Sequence, residues 1–119
     1  MATDKKSLDE PDEVRTPDKT RVELVTMEET TFGRITFQPG WRWSECVKPV
    51  AGTDSCQTRH IGYAISGRLH VVHEDGTELD VAPGDASIIE PGHDAWVVGD
   101  EPYVGIEMSS APITYAQGS

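Results

Sequence analysis

The chain has 119 residues, enough for one domain whose core stands without cross-links. Its net charge is −11, from 21 acidic against 10 basic side chains. A surface this acidic repels phosphate backbones and anionic headgroups, which argues against nucleic acid and membrane as partners. The 11 glycines and 8 prolines recur at short intervals, the punctuation of many short strands rather than of helices.

Residues 1–20 mix Lys, Asp, Glu, Thr and two prolines (Pro11, Pro17) with almost nothing to bury. Such a segment does not offset its ordering entropy and reads as a disordered tail. It lacks the hydrophobic centre of an export signal, and no apolar run approaches the ~20 residues of a membrane span. The expectation is a cytoplasmic protein in which Cys46 and Cys56 are thiols.

From Arg21 the pattern changes. Val22, Leu24 and Thr26 alternate with Glu23 and Val25, and residues 31–37 alternate again, with Phe32, Arg34 and Thr36 on one face. Gln38-Pro39-Gly40 reads as a turn, followed by Trp41 and Trp43, which share a side in an extended chain. Residues 48–55 have loop composition. Strands are expected over about 56–65 and 68–73. Asp75-Gly76 then closes a hairpin in which both central positions take positive φ. Residues 77–81, 86–89, 95–98 and 103–108 complete eight or nine short strands between glycine- and proline-bearing turns. No convincing helix interrupts them, so the spacing specifies an all-β domain, sandwich or barrel.

The glycine and proline placement carries a resemblance. Gly62-Tyr63-Ala64-Ile65-Ser66-Gly67-Arg68-Leu69, a hairpin, then Pro83-Gly84-Asp85 and Glu90-Pro91-Gly92 resemble the two motifs of the cupin superfamily, over roughly residues 40–108. His60-Ile61-Gly62-Tyr63 with Pro91-Gly92-His93-Asp94-Ala95-Trp96 is similar to a group of small stand-alone cupins. The resemblance implies a single antiparallel jelly-roll β-barrel with an internal pocket, a divalent metal in many members, and a homodimer. Its domain would run over about 21–112, with residues 113–119 a C-terminal tail. The metal ligands of the family's first motif fall on Asp54, Cys56 and His60. The histidine of the second falls on Ala95, whereas this chain has His93 two residues earlier. The usual set of three histidines and one glutamate is therefore absent.

Read without the family, a strand over 56–65 puts Cys56, Thr58, His60, Gly62 and Ala64 on one face, a composition suited to a cavity wall. Ile61, Tyr63 and Ile65 then face outward, an apolar stripe that calls for a partner copy or a covering segment. Thiolate and neutral imidazole are good ligands for zinc, iron, nickel or manganese, and Asp54 adds an oxygen. The candidate metal residues are thus His60, His93, Cys56 and Asp54. Along an ideal strand Cys56 and His60 are ~13 Å apart, so sharing an ion requires a bend. The alternative is that each histidine is hydrogen-bonded structurally and the domain is metal-free. Trp41, Trp43, Trp96 and Tyr63 are the candidate pocket residues, with core packing the plainer reading of the tryptophans. Asp94 is expected to brace its turn, and His70 and His73 to lie on an outer surface. No glycine-rich phosphate loop or nucleophile elbow is present. Three functional classes remain open: a metal-assisted enzyme acting on a small organic molecule, a metal-free module that binds or senses one, and a purely structural or interaction module.

Overall fold

Period-two alternation becomes two antiparallel sheets in the computed structural model, which describes residues 3–109. The strands are β1 (Glu13–Arg15), β2 (Thr20–Met27), β3 (Thr30–Phe37), β4 (His60–Ser66), β5 (Leu69–His73), β6 (Glu78–Val81), β7 (Ala86–Ile89), β8 (His93–Val97) and β9 (Tyr103–Ser109). One sheet has the order β1-β2-β3-β9-β4-β7 and the other β6-β5-β8. After β4 the chain crosses between the two, so consecutive motifs face each other across a shared interior.

The core is drawn from both sheets. Val22, Leu24, Ile35, Phe37 and Tyr103 meet Leu69, Val71, Val81, Ala95 and Val97 in one buried cluster. Val22 and Ile35 are fully buried, each contributing about 1.5–3 kcal/mol of transfer free energy. The all-β expectation holds, as two antiparallel sheets around one core.

Several local expectations are corrected. The β5–β6 hairpin is present, but Asp75 is not among the positive-φ residues and Gly76 alone carries φ +92. Gly76 N–H donates to the His73 carbonyl and Thr77 N–H to Asp75 Oδ1. The loop is therefore a three-residue turn with a left-handed glycine rather than a two-residue one. The β2–β3 hairpin pairs Met27 with Thr30, and Glu28, at φ +53, takes a conformation that composition does not announce. The stretch expected to be a loop over 48–55 opens with helix α2 (Lys48–Ala51), preceded by α1 (Trp43–Cys46). Proline in the first turn of α2 and Gly52 at its left-handed C-cap account for its start and stop. Each helix has four residues, and no described helix is long and apolar enough to cross a membrane.

Within the expected disordered tail over 1–20, one stretch is a strand. Glu13–Arg15 pairs antiparallel with β2 and covers the edge of the larger sheet. Arg34 donates to Glu23 (2.9 Å), Asp9 (2.9 Å) and the Leu8 carbonyl (3.2 Å). Backbone pairing and a guanidinium fork anchor a segment that has little apolar surface to bury. The expected domain end at 112 and the tail 113–119 lie outside the described residues.

Candidate metal centre

Three side chains converge between the sheets. Cys56, His60 and His93 each offer a ligand atom, and these atoms lie within 4.8 Å of one another. All three are buried. The local chain explains how. Cys56 is not on the strand that carries His60: it forms an isolated bridge to His93, with Cys56 N–H donating to the His93 carbonyl (2.8 Å) and Gly92 N–H to the Cys56 carbonyl (2.7 Å). Residues 57–59 between bridge and strand are irregular. This break from regular extension lets the two side chains meet, with Cys56 Sγ 3.5 Å from His60 Nε2.

Both imidazoles are oriented through their other nitrogen. His93 Nδ1 lies 2.7 Å from the Glu90 carbonyl across the Pro91-Gly92 turn. A carbonyl only accepts, so His93 Nδ1 carries a hydrogen and donates it. His60 Nδ1 sits 2.6 Å from Glu107 Oε1, which directs its Nε2 to Cys56. Carboxylate or carbonyl behind imidazole, with Nε2 forward, is the support that metal-binding histidines have. The rings lie 5.1 Å apart at 65°.

Glu107 was not a sequence candidate. It reaches the site because β9 pairs with β4, placing Glu107 opposite Gly62. A Cβ on Gly62 would stand 3.3 Å from Glu107 Cγ and 2.9 Å from the Ile106 carbonyl, so the glycine leaves the room the carboxylate occupies. The available signal was parity: Tyr103, Gly105 and Glu107 share a strand face whose first two members are buried.

Electrostatics follow from burial and proximity. Burial disfavours the Cys56 thiolate, but hydrogen bonds and charge from His60 and His93 outweigh it and hold the thiol at about 6, down from 9.0. Burial likewise disfavours the His60 imidazolium, yet Glu107 and the Cys56 sulfur raise it to about 10. Without a metal the pair is thiolate and imidazolium. The depressed thiol contributes stability that is lost as pH falls through about 6. The raised imidazole contributes stability that is lost as pH rises through about 10. The metal-free domain should therefore be most stable between these limits. Thiolate ultraviolet absorbance in a Cys46→Ser background should titrate near the lower one, and a midpoint at the ordinary thiol value would sink this reading.

The remaining candidates divide. Trp41 and Trp43 are buried and line a cavity of about 40 Å³ together with Phe37, Leu69, His60 and His93. Phe37 and Trp41 stack at 3.7 Å, and Trp41 Nε1 donates to Thr20 Oγ1 at 2.9 Å. Trp96 is not in the cavity wall: it alternates with the inward Ala95 and Val97, pairs with His70 across β5, and stacks under Arg42 at 4.1 Å. Tyr63 is 49% exposed on the outer face, as its parity with Ile61 and Ile65 requires. Asp54 is fully exposed, 3.8 Å from Lys48 Nζ and outside the three-donor group, because the irregular 53–55 bend turns it to solvent. Asp94 accepts from Ser44 N–H at 3.1 Å and so braces α1. His70 is held by Asp80 and Glu78, and His73 contacts the Pro91 carbonyl, both away from the site.

No family model and no curated protein matches the sequence. Solved structures do. A protein of Rhizobium leguminosarum of unknown function superposes with a TM-score of 0.67 at 18% identity, over 94% of this chain and 100% of that one. A sugar phosphate isomerase from the cupin superfamily, from Silicibacter pomeroyi, gives 0.61 at 16% identity, covering 88% of this chain and 74% of that one. A cupin-like protein of Thermotoga maritima gives 0.55 at 19% identity, over 84% and 77%. With two antiparallel sheets enclosing a histidine-bearing cavity, the chain has the cupin fold.

Proposed function

We propose that the protein is a small metal-binding cupin, a jelly-roll barrel in which Cys56, His60 and His93 hold one divalent ion beside a cavity for a small organic molecule. The observation that carries this is the pair of pre-oriented imidazoles: each Nδ1 is engaged by an acceptor, and both rings stand in a cluster containing a thiol. Bonds of ~2.3 Å to sulfur and ~2.0 Å to nitrogen at a tetrahedral angle put S and N roughly 3.5 Å apart. Cys56 and His60 already stand at that distance, and all three donor atoms lie within 4.8 Å of one another. One thiolate and two imidazoles form a borderline-soft set that favours zinc, iron or nickel over manganese.

Cys56, His60 and His93 would hold the ion as three protein donors, and the ion would supply Lewis acidity to a small molecule. The chain's own residues do the rest. Glu107 fixes the His60 ring, the Glu90 carbonyl fixes His93, and Phe37, Trp41 and Trp43 line the cavity beside them. Metal analysis of the purified protein, followed by cobalt(II) titration of the chelated protein, tests the reading. A sulfur-to-cobalt charge-transfer band with one ion per chain is expected, and the absence of both bound metal and band would falsify it. The second reading, a metal-free module that binds a small ligand, is favoured by the same 3.5 Å contact, since thiolate and imidazolium satisfy each other without an ion. Both cysteines are free, in keeping with a cytoplasmic, reducing location.

The assembly we propose is a homodimer. Ile61, Tyr63, Ile65 and Ile88 leave β4 and β7 with an exposed apolar outer face. Light scattering should give a dimer that the double variant Tyr63→Glu, Ile65→Glu converts to a monomer. A monomeric wild type at tens of micromolar protein would overturn the assignment.

A further inference from the structure

His70, on the outer face of β5, meets an acceptor at each ring nitrogen. Its Nδ1 lies 2.6 Å from Asp80 Oδ1 and its Nε2 2.7 Å from Glu78 Oε1. An ionised carboxylate only accepts, and a neutral imidazole has one N–H to give. Both contacts are made at once only by the imidazolium. His73 shows the contrast. Its Nε2 faces the Pro91 carbonyl at 2.7 Å, while its Nδ1 receives the Asp75 N–H at 3.1 Å. A neutral ring satisfies that pattern.

The charges around His70 favour the same state. From β6 it meets Glu78 and Asp80, and from β8 the uncharged Trp96, at 4.8 Å. Arg42 stacks on that indole, but its guanidinium lies 3.7 Å from Asp94 and 3.8 Å from Glu45. On its own strand Val72 shares the face, and Arg68 stands one residue before the strand begins. The hydrogen bond to Asp80, then that to Glu78, holds the ring above its ordinary value of 6.5 against the effect of burial.

Both acids belong to β6, an edge strand. Among the described residues β6 pairs with β5 alone. Glu78, Leu79 and Asp80 are exposed, which leaves Val81 as its buried anchor. Leu79 walls a groove with Val71, Ile88 and Ile89, and Ile89 also belongs to the cavity wall beside His60 and His93. What holds β6 against β5 therefore holds one wall of that groove.

We propose that His70 is a proton-operated latch on the edge of the smaller sheet. As imidazolium it clasps β6 to β5 through both acids. When the ring gives one proton to solvent, one carboxylate faces a lone pair, and the strand loosens over the groove. The sign follows from linkage: the clasp is fully present below about 6.5 and is lost as pH rises through the higher value of the folded ring. It holds whether or not Cys56, His60 and His93 carry an ion.

The test is a pH titration of the full-length chain from about 6 to about 9, spanning the imidazole range. It reads the His70 ring nitrogen shifts and the hydrogen-exchange protection of the β6 amides, with intrinsic rates divided out. His70 should titrate above 6.5. Through the same midpoint β6 protection should fall about three- to tenfold, the scale of two exposed ion pairs, with β2 and β3 unchanged. Glu78→Gln combined with Asp80→Asn keeps side-chain size and removes both charges. It should return the midpoint to the ordinary value and flatten the β6 profile. A midpoint at or below 6.5, β6 protection level through the midpoint, or a wild-type profile in the double variant would each overturn the latch. If the double variant does not fold, the wild-type titration decides.

Discussion

Cys56→Ser lowers affinity for zinc or cobalt by on the order of a hundredfold or more and abolishes the sulfur-to-cobalt band, whereas His93→Ala costs similar affinity and leaves the band. Both effects follow from a centre with only three protein donors, where each carries a large share of the binding free energy. Serine keeps the size of the side chain but not the thiolate, so its effect isolates ligand chemistry from packing. The pH dependence has a defined sign. Binding must displace the proton from His60 Nε2, which the metal-free protein holds until pH approaches about 10, so about one proton is released per ion through the neutral range. Below about 6 the Cys56 thiol is protonated as well, a second proton is displaced, and affinity falls more steeply. Isothermal titration in buffers of different ionisation enthalpy counts these protons. Binding without proton release at neutral pH would mean the imidazolium–thiolate pair is not the metal-free state.

The strands were legible because their periodicity is a surface property of short segments. In β4, buried His60 and Ala64 alternate with exposed Ile61, Tyr63 and Ile65 as period two requires. The site was legible only in part. His60 and His93 could be paired from the resemblance, but the route by which Cys56 joins them depends on a bridge to His93 and an irregular 57–59 segment. No local pattern marks either feature. Glu107 was hidden because its partner is 47 residues away and the β9–β4 neighbourhood is set by topology. Trp96 was misplaced for a simpler reason: the strand begins at His93, and its parity turns the indole toward His70. The N-terminal segment misled because composition reports apolar burial, whereas Arg34 anchors it through ions and a carbonyl.

Gly67→Ala destabilises the domain by about 3–5 kcal/mol, whereas Gly76→Ala costs about 1–2 kcal/mol. Both glycines have positive φ, +77 and +92, so both variants carry the strain of an L-residue in the left-handed region. They differ in what the new methyl meets. At Gly76 nothing lies within 4 Å, while at Gly67 the Cβ would stand 2.3 Å from the Pro102 carbonyl oxygen and 2.6 Å from Tyr103 Cα. Those are backbone atoms at the start of β9, so relief requires moving the strand rather than a side chain. β9 also carries Glu107, and a shift at Tyr103 loosens the carboxylate that orients His60. The glycine that joins β4 to β5 is thereby coupled to the centre it does not touch. Denaturant unfolding of the two metal-free variants should separate them by at least about 2 kcal/mol. Gly67→Ala alone should also lose metal affinity, about tenfold, in the range for disturbed ligand support. Equal stability losses, or a Gly67→Ala variant with wild-type affinity, would show that the close approach at Pro102 does not position β9.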